Sequence, residues 1–398
     1  AQDGAAALAE AVAKRIARGE ELYAKKEYDA ARVEYDKALE LDPQSTRAYV
    51  ARGHTWYAER EYEKAIEDYS RAIEVDADYA SAYYARALAK ELRLNYRASL
   101  EDWNIYLDLR DDYAMAWIKR GDCRLQLVDY AGAYEDYSEA LALEPANKKA
   151  FLQRAKVHEA MENWEAAVAD YGELIKMFPN YAPTYRDRAR ARWLLGDRKG
   201  CDEDFKAAIF LEPEASATYV MRGRLEMMDG DYAGALADLD KAVKLEDKQW
   251  ITHYTRGLVN YNFGEYRKAR VDFHKAIKRT EKDLYFEPDY AQLYACLIEM
   301  RLKKAKRGIK ELKEYVAGKE KKADPWYLEV VGFLTGEIDE KTFIESAEAE
   351  TPRKTREHQC EAFFYAGELR RIAGDEKGAL ELFKKCVETG INNYIEYE

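Results

Sequence analysis

Small and large apolar residues return at the same places every 34 residues along this chain. A small residue stands at Gly19, Gly53, Ala87, Gly121, Ala155, Ala189, Gly223 and Gly257. A second follows at Ala31, Ala65, Ser99, Ala133, Ala167, Cys201, Ala235 and Ala269. Four residues beyond each of these comes a large apolar one, Tyr35, Tyr69, Trp103, Tyr137, Tyr171, Phe205, Leu239 or Phe273. Such an i, i+4 pair marks one face of a helix. An aromatic residue at Tyr28, Tyr62, Tyr96, Tyr130, Trp164, Tyr232 and Tyr266 marks a turn, with Arg198 breaking the series. Pro43, Pro145, Pro179 and Pro213 close four units, because proline ends a helix where the next must begin. No single helix or strand repeats on this length, so the unit is a supersecondary module stacked on copies of itself. The chain reads as an all-α solenoid, and its function is to be sought on a surface.

Charge keeps the same register. Arginine recurs at Arg18, Arg52, Arg86, Arg120, Arg154, Arg188, Arg222 and Arg256, and sixteen residues after each stands an acid: Glu34, Asp68, Asp102, Asp136, Asp170, Asp204, Asp238 and Asp272. Eight arginines in file could form a ladder for a polyanion. The strict pairing of signs, with each arginine beside the small residue where two helices touch, instead predicts ion pairs within each repeat.

Large apolar, small, aromatic, small, large apolar, small, proline over 34 residues resembles the tetratricopeptide repeat, across residues 12–283 without an inserted residue. The resemblance implies antiparallel helix pairs A and B, stacked into a right-handed superhelix whose concave wall is made of A helices. It implies a binding scaffold and no chemistry. Residues 1–11 extend the first repeat as a helix, with Leu8, Val12 and Ile16 spaced three to four apart; this helix is expected to cap the first repeat or to pair with a second copy. Residues 284–359 read as two degenerate helix pairs, with Lys303, Lys304, Lys306 and Arg307 in the small turn positions. Residues 360–398 restore the repeat through Gly367, Ala379, Phe383 and Cys386 and begin a capping helix. Trp326–Ile338, Phe364–Gly367 and Asn392–Glu396 resemble the C-terminal half of NlpI-type bacterial envelope lipoproteins. That likeness implies an adaptor for a periplasmic protease or cell-wall hydrolases. The lipid-bearing cysteine of that group is not matched at the start of this sequence.

Composition narrows the partners. The 398 residues carry a formal net charge of -12 and are 47% hydrophobic, with 32 tyrosines. This disfavours nucleic acid and anionic membranes as general partners, and no run approaches the roughly 18 apolar residues of a membrane span. The opening Ala1-Gln2-Asp3 reads as the cut end left by a signal peptidase, hence a secreted or periplasmic protein; a trimmed cytoplasmic fragment is the alternative. Cys123 and Cys201 occupy small buried-type positions, while Cys360 and Cys386 can approach across one helix pair, so the five cysteines define no disulfide framework. The five histidines have no ligand spacing; His253 and His274 can face each other but lack a third ligand. There is no phosphate loop or nucleophile elbow. The expectation is no enzyme, no metal and no cofactor.

The expected concave positions carry aromatics in the early repeats, with Tyr23, Tyr57 and Tyr84, then Asp122 in the fourth. A basic run follows at Lys149, Lys156, Arg186, Arg190 and Arg224, beside Trp193 and Met227, with Tyr254 and Tyr261 in the eighth repeat. The reading is a groove for an extended acidic segment of a protein partner. In the plainer alternative Asp122 and Glu159 neutralise part of this patch and water covers the rest. A structural subunit of a large envelope complex, joined through its convex face and ends, is the second functional class.

Overall fold

A computed structural model describes residues 2–280, 289–318 and 324–391. Among the described residues there are 22 helices and no strand. The chain forms two compact units, residues 1–211 and 212–398. In the first, six A helices (Gln2–Ala24, Thr46–Ala58, Ala80–Leu92, Ala114–Gln126, Lys148–Ala160, Ala182–Leu194) alternate with six B helices (Tyr28–Leu41, Tyr62–Val75, Tyr96–Leu109, Tyr130–Leu143, Trp164–Met177, Arg198–Leu211). The N-terminal extension and the first A helix are thus one continuous helix. None of the described helices is long and apolar enough to cross a membrane.

Each pair is held by the packing its register predicts. A Cβ at Gly53 would lie 2.5 Å from the ring of Tyr69, so only glycine allows that helix approach. The B-helix aromatics Tyr35, Tyr69, Trp103, Tyr137, Tyr171 and Phe205 are fully buried, each contributing several kcal/mol at roughly 25 cal/mol per Å² of apolar surface. Every A–B turn passes through the left-handed region at one position, occupied by Lys26, Arg60, Leu94, Val128, Glu162 and Gly196. Only the last suits glycine's freedom.

The register arginine of several A helices bridges two B helices. Arg120 Nη2 and Nε reach Asp136 at 2.7 and 3.1 Å, while Nη1 reaches back to Asn104 on the preceding B helix at 3.1 Å. The same fork joins Arg52 to Asp68 and Asp36, Arg86 to Asp102 and Ser70, and Arg154 to Asp170 and Ser138. Arg188 pairs with Asp204, and in the second unit Arg222 pairs with Asp238 and Arg256 with Asp272. The first pair departs from the pattern. Glu34 is taken by Arg15 at 2.8 Å and Lys37, while Arg18, more than half exposed, turns to Glu21. Among the described residues no B helix precedes the first A helix to bury Arg18 or accept a further bond from it.

The second unit opens with two regular pairs, Ser216–Met228 with Tyr232–Leu245 and Trp250–Asn262 with Tyr266–Thr280. The helices Asp289–Arg301, Ala305–Ala317, Pro325–Thr335, Glu340–Glu345, Pro352–Ala373 and Glu376–Glu388 follow. These close on a common core around Leu293, Leu297, Val330, Phe333 and Phe343. Trp326 stacks on both Phe343 and His358. The expected domain boundary at 359/360 falls inside the helix Pro352–Ala373, and the expected Asn392–Glu396 motif lies outside the described residues.

Candidate functional site

In the first unit the A helices present a row of polar groups whose orientation is fixed from within. The hydroxyl or indole tips of four buried B-helix aromatics reach their own A helices. Tyr69 meets His54 at 2.9 Å, Trp103 donates to Glu91 at 2.8 Å, Tyr137 to Asp122 at 2.9 Å and Tyr171 to Glu159 at 3.2 Å. Each of these three acids then holds a cation on the next A helix, giving Lys119–Glu91, Lys149–Asp122 and Arg190–Glu159, with Gln153 also donating to Asp122. Arg47–Glu20 is the same link one end earlier. These rungs join successive repeats and leave cations along the A-helix face.

The rungs differ in strength because burial differs. Glu159 is 8% exposed, and burial pushes its pKa up to about 7 against the opposing pull of Arg190. Such a pair resists exchange, since stranding a buried charge is costly. Lys149, at 44% side-chain exposure, belongs to the class of ion pairs worth about 0–1 kcal/mol. Lys156 is exposed and adds a further positive charge near Glu159. Arg186 lies against Asp187 at 3.0 Å, and the guanidinium of Arg198 covers the ring of Trp193 at 4.2 Å. Lys119, which the sequence reading did not select, joins this face through Glu91. Its place one turn after Met115, with an acid on the preceding A helix, was the available signal.

The second unit corrects the expected groove at its eighth repeat. Tyr261 is buried; its hydroxyl donates to Glu368 and accepts from Arg301 Nε at 3.1 Å. Tyr254 and Leu258 pack against the same core, and Tyr254 meets Phe273 edge-on. The helix Pro352–Ala373 supplies Glu368 and Phe364 to this cluster, so Tyr261 is an internal anchor and not a partner-facing residue. Arg224 and Met227 are half-buried. His253 and His274 do not face each other: His253 is buried against Asp247 and Asp272, whereas His274 Nδ1 lies 2.9 Å from the Arg270 carbonyl. Among the described residues no cluster could hold a metal ion.

Residues 19–59 and 53–92 match the family model described as TPR repeat. The chain is also similar to solved structures of that kind. One is a tetratricopeptide repeat protein from Parabacteroides merdae, 18% identical, covering 63% of this chain and 99% of that one with a TM-score of 0.47. Another is YrrB, described as a TPR protein with an unusual peptide-binding site, at 17% identity, 46% and 95% coverage and a TM-score of 0.43. A thermophilic TPR protein of Thermus thermophilus is 21% identical over 43% of this chain and 94% of that one, with a TM-score of 0.38. Residues 19–92 are therefore tetratricopeptide repeats, within an all-α solenoid of helix pairs of that type. Proteins of this kind generally mediate protein–protein interaction.

Proposed function

We propose that this protein is a non-catalytic scaffold that holds an extended acidic segment of a partner along the A helices of its first unit. The segment's carboxylates exchange with Asp122 for Lys149 and meet Lys156 directly, while Arg186 and Lys119 extend the row. The observation that carries this reading is the set of rungs: cations on successive A helices whose companion acids are aimed by buried aromatic tips, so the face is ordered before a ligand arrives. Preorganisation of this kind lowers the cost of binding. The test is calorimetric titration of a glutamate-rich peptide against the wild type and a Lys149→Glu/Lys156→Glu variant. Binding should weaken at least tenfold in the variant and weaken with salt, since exposed charges are screened over about 8–10 Å. Unchanged affinity would remove the A-helix face as the site.

We further propose that the scaffold works in the bacterial envelope as an exported adaptor, on the likeness of residues 326–338 and 364–367 to the NlpI-type lipoproteins. Cell fractionation with an antibody against the chain tests this; recovery in the cytosol alone contradicts it. A structural subunit bound permanently through its end is the second reading. Leu380 and Val387, 54% and 74% exposed one above the other on the helix Glu376–Glu388, favour it.

A further inference from the structure

The B helix Tyr266–Thr280 is unlike the seven that precede it. Each of those carries at least two acids, whereas this one has Arg267, Lys268, Arg270, Lys275, Lys278 and Arg279 with Asp272 as its single acid. Asp272 is buried and bound to Arg256, so the outer face of this helix carries no negative charge of its own. On a chain of formal net charge -12, that is a local reversal of sign. The exposed Lys303, Lys304, Lys306 and Arg307 follow in and after a turn of the same unit.

A cleft of about 400 Å³ lies between the two stretches, lined by Arg270, Val271, His274, Lys275, Lys278 and Arg307. Two of its cations are already committed, Arg270 to the buried Glu299 and Arg307 to Glu311 at 2.7 Å. Lys275 and Lys278 stand one turn apart and give the lining its positive character. Val271 is 56% exposed among them, an apolar surface that a simple anion would leave wet.

We propose that this cleft binds an acidic protein segment carrying an aliphatic side chain, with carboxylates on Lys275 and Lys278 and the aliphatic group on Val271. The volume suits one or two side chains. Among the described residues no phenylalanine, tyrosine or tryptophan ring lines the cleft to stack a base, which is where single-stranded nucleic acid draws about 1–3 kcal/mol per base. The site is independent of the A-helix face of the first unit and stands or falls separately.

The experiment is fluorescence anisotropy with a labelled peptide of glutamates around one leucine, using the full chain in the Lys149→Glu/Lys156→Glu background, which disables the other proposed site. Binding is expected to persist in that background. Adding Lys275→Glu and Lys278→Glu should weaken it more than tenfold with no change in melting midpoint, and Val271→Asp alone should weaken it severalfold. If charge reversal disturbs the fold, Lys275→Gln/Lys278→Gln repeats the comparison without introducing acids. Equal affinity before and after the cleft substitutions overturns the proposal. Oligothymidylate binding more tightly than the peptide overturns the assignment to a protein segment, and full competition by millimolar inorganic phosphate would show an anion site without the aliphatic contact.

Discussion

Replacing Arg120 with alanine should cost less than replacing its partner, and the difference follows from the second cation at Asp136. Asp136 has 1% side-chain exposure and is held both by Arg120 and by Arg124 Nη1 at 3.0 Å. Burial keeps its pKa above the ordinary carboxylate value despite Arg120. Breaking a buried pair costs roughly 3–5 kcal/mol when the remaining charge is left without compensation. After Arg120→Ala, Arg124 still neutralises part of Asp136, so the expected loss is about 2–3 kcal/mol. After Asp136→Ala, two guanidinium groups face each other across the emptied site, and the full roughly 3–5 kcal/mol is expected. The double variant should lose about 2 kcal/mol less than the sum of the singles. Urea unfolding followed by circular dichroism gives these values. Stacked repeats can open piecewise, so hydrogen exchange of Ala114–Gln126 and Tyr130–Leu143 should be read in the same samples. A coupling energy under about 0.5 kcal/mol would show that the two side chains act independently and would refute the brace.

Three further outcomes are expected. Glu159, raised from its ordinary 4.5 to about 7, binds its proton more readily in the folded chain. Its contribution to stability is fully present below pH 4.5 and lost as pH rises through about 7; Glu159→Gln should flatten that part of the stability–pH curve by about 3 kcal/mol, and an unaltered curve would place the buried charge elsewhere. Val128, at φ 63 in the A–B turn, bears the left-handed cost of about 1–2 kcal/mol. Val128→Gly should therefore stabilise by roughly 1 kcal/mol, and a lower urea midpoint would contradict this. Cys360 and Cys386 bring their Sγ atoms to 2.6 Å, so treatment with a small-molecule disulfide should join this pair. Peptide mapping under non-reducing conditions should find Cys360 linked to Cys386 with Cys123, Cys201 and Cys296 still alkylatable after denaturation.

How much of this was legible in the sequence follows from what repeats and what does not. Residues that recur at one interface leave a periodic trace, and Arg52–Asp68 through Arg256–Asp272, the buried Tyr35–Phe205 series and the B-helix starts were readable from that trace. Arg18 does not follow the register because Arg15 and Lys37, which have no counterpart in the 34-residue pattern, take its acid Glu34. The third arm of Arg52, Arg86, Arg120 and Arg154 left no trace in the pattern because its acceptor varies among Asp36, Ser70, Asn104 and Ser138, sharing polarity but no single residue type. Asp122 and Glu159 stand at neutralising positions in the sequence, yet their different burial, 23% against 9% side-chain exposure, depends on tertiary packing that the 34-residue pattern does not encode. Tyr261 was misread because its partner Glu368 lies 107 residues away on a helix outside the repeat register. Local periodicity cannot report a contact made by an element that does not share it.

The central claim is that the A helices of the first unit are the face on which a partner's acidic segment lies. Hydrogen–deuterium exchange with and without a saturating glutamate-rich peptide tests it most directly. Slowed exchange is expected across Ala114–Gln126, Lys148–Ala160 and Ala182–Leu194, with the facing B helices Tyr130–Leu143 and Trp164–Met177 changed less. Exchange that slows only in those B helices, or leaves all three A helices at their unliganded rates, would contradict the account.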